Sequence, residues 1–244
     1  MKDNLFDTLY IDEDIIVISK KAGVLTIQDR YNQEIPNLRQ ILKEMYGDIF
    51  VVHRLDKDTS GAMIFARNAA SHKNLNEQMM NNSIKKIYHC IVTGVVQQDS
   101  FDIDIPIIHN STKPNLSLPS ARGKASLTKI KVLKRFRIAS LLECELVTGR
   151  HHQIRVHCAT VGHPLFIDPD YGKQSEFFLS SIKRKYHLNK NEVEKPIMNR
   201  VSLHSKSIAF NHPKNSLPLF FDANYPKDFS ALLNILTKYS QIYK

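Results

Sequence analysis

Apolar and polar positions alternate along this chain with two different periods. "IIVIS" (15–19) is a short apolar run of strand length, followed by the turn "KKAG". "PNLRQILKEMYG" (36–47) sets Leu38, Ile41, Leu42 and Met45 at helical spacing, with Pro36 at the helix start and Gly47 as the stop. "AMIFAR" (62–67) predicts a strand, and "NAASHKNLNEQMMNN" (68–82) predicts a helix capped by Asn68. Further strands are expected over 84–96, ending at Gly94, and over 101–105, 125–134 and 138–147. The last two are joined at the basic corner "KRFR". Over 149–162 the period becomes helical: Ile154, His157, Cys158 and Val161 share one face, and Gly162 stops the helix. A strand, "LHSKSIAF" (203–210), and a helix, "YPKDFSALLNILTKYS" (225–240), complete the pattern. The helix has Phe229, Leu232, Leu233, Leu236 and Tyr239 on its apolar stripe. Strands dominate without regular βαβ alternation, so the expected class is α+β with a mixed sheet.

There is no internal repeat. Residues 172–200 are poor in hydrophobics and rich in Lys and Asn, and read as a surface insertion in a single domain over 1–244. A hydrophobic fraction of 42% is that of an ordinary globular protein. The charge changes the picture more. There are 34 Lys+Arg against 24 Asp+Glu, a net of +10, which points to an anionic partner, with nucleic acid ahead of a membrane surface. Residues 121–140 hold seven Lys/Arg and no acid, and read either as a solvated strand pair or as a phosphate contact. Cys90, Cys144 and Cys158 are scattered and odd in number, which implies neither a disulfide framework nor a zinc pair and fits a reducing, cytoplasmic compartment. No segment approaches the ~20 apolar residues of a membrane span, and the N-terminal stretch is wrongly flanked for a signal peptide. A soluble monomer is expected.

Two stretches carry candidate chemistry. "HRLDKDTSG" (53–61) sets one carboxylate, Asp56, behind the basic pair His53 and Arg54. Asp56 reads as the working group. Asp58, Thr59, Ser60 and Gly61 read as turn chemistry that bonds back to backbone amides. By itself an Asp here would more often pair with Arg54 or Lys57, or cap a turn. "TGRHHQIRVHCATVGHPLFIDPDYG" (148–172) concentrates two arginines, four histidines and Gln153. His152 and His157 are five apart with no acid on their helix, unlike the i, i+4 face of HExxH, so no metal is expected at His151, His152 or His157. The economical reading is a helix that turns Arg155 inward while other polar groups fix it or touch phosphate. A serine hydrolase lacks its GxSxG, and no glycine loop for nucleotide phosphates is present.

"HRLDKDTSG" resembles the signature loop of the RluA-type family of RNA pseudouridine synthases, HRLDxxTSG, at every specified position. "ISKKAGVLT" (18–26), with Lys21 where the family writes proline, is similar to its N-terminal strand and turn. "KKIYHCIVTG" (85–94) resembles the strand carrying its active-site tyrosine, here Tyr88. "GKASLT" (123–128), the 148–172 stretch and "LHSKSIAFNHP" (203–213) follow in family order. His151 replaces the usual Thr of TGRTHQIRVH. The resemblance covers roughly 9–226 and implies a pseudouridine synthase fold: a mixed, curved central sheet with flanking helices and an RNA-binding cleft, here without an S4-like domain.

The resemblance also implies roles. Asp56 is the reactive carboxylate that takes part in breaking the ribose–uracil bond and rejoining it through C5. Tyr88 stacks on the target uracil and can move a proton from C5, and Arg155 keeps the acid ionised and oriented. Arg54 replaces the extruded base in the stack, Ile154 packs the pocket wall, and His53 and Arg150 contact substrate. No cofactor is needed, because no electrons or phosphate are exchanged. The partner is ribosomal or transfer RNA. A catalytically silent RNA-binding module of the same fold is the rival reading. A glycosidase-like hydrolase would want a second carboxylate, which the motifs do not supply.

Overall fold

The structure is a computed structural model that describes residues 5–29, 32–184, 186–187 and 192–242. In chain order its elements are β1 (Phe6–Ile11), β2 (Ile15–Lys20), α1 (Leu38–Tyr46), β3 (Phe50–Val51), β4 (Ser60–Ala66), α2 (Ala69–Met80), β5 (Lys85–Thr93), β6 (Ser100–Asp104), β7 (Ile107–His109), β8 (Ser117–Pro119), β9 (Leu127–Arg135), β10 (Ala139–Leu146), α3 (Gln153–Thr160), β11 (Leu203–Asn211), β12 (Pro218–Asp222) and α4 (Lys227–Tyr239). No helix among the described residues is long and apolar enough to cross a membrane. The chain divides into two compact units: Met1–Tyr88 with His204–Asn224, and His89–Leu203 with Tyr225–Lys244.

In the first unit β2 pairs antiparallel with both β1 and β4, and β11 pairs antiparallel with β12. β4 and β11 run parallel through His204–Ser60 and Ser205–Gly61, so the sheet is mixed. Ile15, Ile16, Val17 and Ile18 are all fully buried, because both faces of β2 are covered. The core includes Ile15, Val17, Ile64, Leu75, Ile208 and Phe210. Asn37 and Asn68 cap α1 and α2 by accepting the amides of Gln40 (3.1 Å) and Ser71 (2.8 Å). Pro36 precedes the cap of α1, and Met45 is 43% exposed and does not belong to its buried stripe.

In the second unit the strand order is β5-β10-β9-β6, beside a two-stranded β7-β8 hairpin. Its core gathers Ile91, Phe136, Phe166, Phe229, Leu232 and Leu236. Phe177 and Met198, within 172–200, are buried in that core and pair as a β-bridge. Cys90, Cys144 and Cys158 are buried free thiols, with Cys90 and Cys144 3.5 Å apart across β5 and β10. α3 is shorter than its hydrophobic period suggests: Val161 lies beyond its end and is 38% exposed. The sheet register accounts for two of the seven cations of the basic 121–140 run. On β9, Lys129 lies opposite Glu145 of β10 and Asp102 of β6, and Lys131 lies opposite Glu143. These lysines sit in an acid–base ladder across the sheet surface.

Candidate active site

The loop ahead of β4 is fixed by its backbone. Thr26 donates its hydroxyl to the Leu55 carbonyl at 2.9 Å, and the Gly23 amide donates to the Lys57 carbonyl at 2.9 Å. Lys20, only 1% exposed, donates its ammonium to the carbonyls of Lys57 (2.7 Å), Val24 (2.8 Å) and Lys21 (3.0 Å). A buried ammonium is tolerated only when hydrogen-bonded in this way, and here it clamps two loops together. The Thr59 amide closes the turn on the Asp56 carbonyl at 3.1 Å. Asp56 therefore stands half-buried on a backbone held from both sides, while Arg54 beside it is exposed.

The TSG residues act differently from the expected turn chemistry. Ser60 does not bond back to a local amide. Its hydroxyl meets His204 Nδ1 of β11 at 2.9 Å, and His204 Nε2 lies 3.1 Å from the Ala223 carbonyl. The carbonyl can only accept, so Nε2 is the donor there, and the ring ties Ser60 of β4 to the segment after β12. Gly61, at φ +114°, lets β4 approach β11 so closely that a Cβ there would sit 2.1 Å from the Ser205 carbonyl oxygen. Thr59 carries a buried hydroxyl with no hydrogen-bond partner, one of two such side-chain atoms among the described residues.

Tyr88, 6% exposed, closes the first unit's share of β5. Burial pushes its phenol well above the ordinary tyrosine range; a hydrogen bond with Ser205 opposes this, and the nearby negative charge of Asp56 adds to it. The phenol stays protonated beside the carboxylate. His53 accepts the Ile64 amide at its Nε2 (3.2 Å), which needs a neutral ring. Burial, and then the charge of Lys86, hold its pKa down to about 3.

In the second unit Gln153, 2% exposed, organises the turn into α3. It accepts the Thr148 hydroxyl (2.9 Å) and the Arg150 amide (3.0 Å), and donates to Thr128 (2.9 Å) and the Leu127 carbonyl (3.1 Å). Arg150 is exposed, with its Nε donating to the Ala125 carbonyl at 3.2 Å. Arg155 is buried and does turn inward. Its Nε and Nη2 donate to both oxygens of the fully buried Asp168 (2.8 and 2.6 Å), and Nη2 also reaches Asp170 (2.6 Å). Burial alone would weaken its charge, but the two carboxylates outweigh burial and raise its pKa. Asp168 and Asp170 lie in "IDPDYG", where the sequence offers no sign of which cation they serve. Ile154 is 3% exposed on the same helix. His157 is fully buried between the Thr128 hydroxyl and the Ile105 carbonyl, each at 2.9 Å, which is a framework role.

Residues 14–160 match the RNA pseudouridylate synthase family model. A ribosomal large subunit pseudouridine synthase D of Neisseria meningitidis is 32% identical over 243 residues, which is 94% of this chain and 61% of that relative. This chain therefore spans less than two thirds of that relative's length. One of the same name from Pseudomonas aeruginosa is 34% identical over 96% of this chain and 73% of its own. Among solved structures, human RNA pseudouridylate synthase domain containing 4 superposes with a TM-score of 0.73 at 21% identity, covering 95% of this chain and 93% of that one. Human domain containing 1 gives 0.69 at 24%, covering 93% and 85%. The fold is the one those structures share, and the chain belongs to the RNA pseudouridylate synthase family.

Proposed function

We propose that this protein isomerises uridine to pseudouridine in structured RNA, with Asp56, Tyr88 and Arg155 carrying the reaction. The observation that carries the reading is the half-buried Asp56 on a clamped loop, close enough for its charge to act on the protonated, buried Tyr88. The reaction breaks the bond from C1′ to N1 of uracil, forms one from C1′ to C5, and moves the C5 proton away while N1 gains one. A fixed carboxylate beside the ribose–uracil junction and a phenol that keeps its proton suit those steps. Arg155, gripped by two aspartates, supplies a permanent charge in a fixed orientation. Arg54, exposed on the same loop, is the group that fills the stack when the uridine is flipped out. Ile154, His53 and Arg150 complete the substrate-binding set. Large-subunit ribosomal RNA is the first substrate to try, because the relatives bear that name.

The test is tritium release from [5-³H]uridine-labelled RNA of cells lacking the gene, with mass-neutral conversion confirmed by mass spectrometry. Wild type should release tritium, and Asp56→Asn should lose about 10³-fold or more of the rate with RNA affinity nearly unchanged. Substantial turnover by Asp56→Asn would remove the carboxylate from the reaction.

A further inference from the structure

Around the turn into α3, side chains from three separate stretches of the second unit form a continuous series of ring contacts. His109, exposed at the end of β7, lies 5.2 Å from the ring of His151. His151 stacks on His152 at 3.8 Å with 21° between the planes. His152 meets the edge of Tyr171 at 5.6 Å and 90°, and the Arg155 guanidinium covers the Tyr171 ring at 4.9 Å. Neighbouring side chains seldom face each other. His152 does so because its backbone is left-handed (φ 55°, ψ 22°), a conformation that a residue with a Cβ rarely adopts unless its surroundings impose it.

Hydrogen bonds lock the series. The Ser117 hydroxyl lies 3.0 Å from His151 Nδ1, the Ser117 amide donates to the Tyr171 hydroxyl at 2.7 Å, and that hydroxyl lies 3.0 Å from His152 Nδ1. Ser117 is also the cross-strand partner of His109, so β7-β8 and the α3 turn are tied at one point. Two exposed cations flank the open end. Arg150 immediately precedes His151, and the Lys124 amide bonds the Ile107 carbonyl, two residues from His109. Rigid aromatic rings beside cations are what single-stranded nucleic acid binds: bases stack on the rings and phosphates meet the charges. His151, the departure from the family's Thr, is the ring that joins His109 to the rest.

We propose that the His109–His151 pair is a platform for an unpaired base of the RNA, with Lys124 and Arg150 taking the adjoining phosphates. The proposal rests on the synthase reading for its substrate class. His109 is the stacking residue; His151 is a positioning residue that supports it.

The test compares two fluorescent probes by anisotropy: a ten-nucleotide oligoadenylate and an abasic ribose-phosphate chain of the same length. Wild type should prefer the oligoadenylate about tenfold or more. His109→Ala and His151→Thr should each cut that preference several-fold and leave abasic binding unchanged, while His109→Phe and His151→Phe retain it. Lys124→Ala should weaken both probes by the same factor. Equal losses on both probes for His109→Ala, or a Phe variant as poor as Ala, would overturn the platform. Binding is read without turnover, so the two readings fail separately. Base preference without tritium release would sink the synthase activity and leave the platform; release without base preference would do the reverse.

Discussion

Asp56 and Tyr88 sit together in one electrostatic setting, and it fixes which of them holds a proton. Burial, and the Asp56 charge after it, keep the Tyr88 phenol protonated far above neutral pH. Activity should therefore show no loss from phenol ionisation between pH 7 and about 10, the ordinary tyrosine value. A rate that falls with a Tyr88-dependent pKa in that range, absent in Tyr88→Phe, would contradict the environment described. His53 gives a stability effect of its own. In the folded protein it takes a proton only near pH 3, whereas unfolded it does so near 6.5. Between these values the unfolded chain binds more protons, so stability rises with pH and is lost as pH falls from 6.5 toward 3. The slope from this group is at most about 1.4 kcal/mol per pH unit. Between pH 7 and pH 5 the urea midpoint should drop more for wild type than for His53→Gln. The difference between the two proteins isolates His53 from His157, whose pKa burial also lowers.

At the scale of elements, the question is what holds the loop before β4 in place. Lys20 gives its ammonium to three carbonyls, and Gly61 lets β4 meet β11 without a Cβ in the way. Lys20→Met would leave those carbonyls without that donor, at a cost on the order of 3 kcal/mol. Gly61→Ala should cost a similar amount, since its Cβ meets backbone that cannot swing aside and its φ is positive. Both should lower the urea midpoint, and a Lys20→Met protein as stable as wild type would dismiss the clamp. Much of this fold is legible in the residues alone. The cap at Asn68 is a short side chain accepting an amide three residues on, and β2 opens on four consecutive apolar residues. The local signal stops where partners are distant. Lys20 reads as the first residue of a turn and Ser60 as a turn residue, and Asp168 carries no signal of its own. Each finds its partner further along the chain or back from it: Lys57, His204 and Arg155. The two-residue β3 and the β7-β8 hairpin lack any run long enough to show a period, and the αL turn at His152 has no glycine to announce it.

For the whole molecule, a net charge of +10 overstates what reaches an RNA, because the sheet register offsets part of it. Lys129 and Lys131 are exposed, yet they lie across the sheet from Glu145, Asp102 and Glu143, and Glu143 also stands 3.6 Å from His89. A phosphate approaching that face meets both signs. Arg122 and Lys124, on the segment before β9, have no acid within their own stretch 121–140, and Arg150 is exposed on the turn into α3. Removing one cation that binds a phosphate should lower the slope of log affinity against log salt by about 0.7–0.9. Arg122→Ala combined with Lys124→Ala should thus flatten the slope measurably and weaken binding at low salt. Lys129→Ala combined with Lys131→Ala, which removes the same formal charge, should change the slope by much less. Anisotropy titrations of one labelled RNA stem-loop at several salt concentrations decide the matter. Equal changes for the two double variants would mean that RNA responds to total charge alone, and that the acid–base ladder on β9 does not shield its lysines.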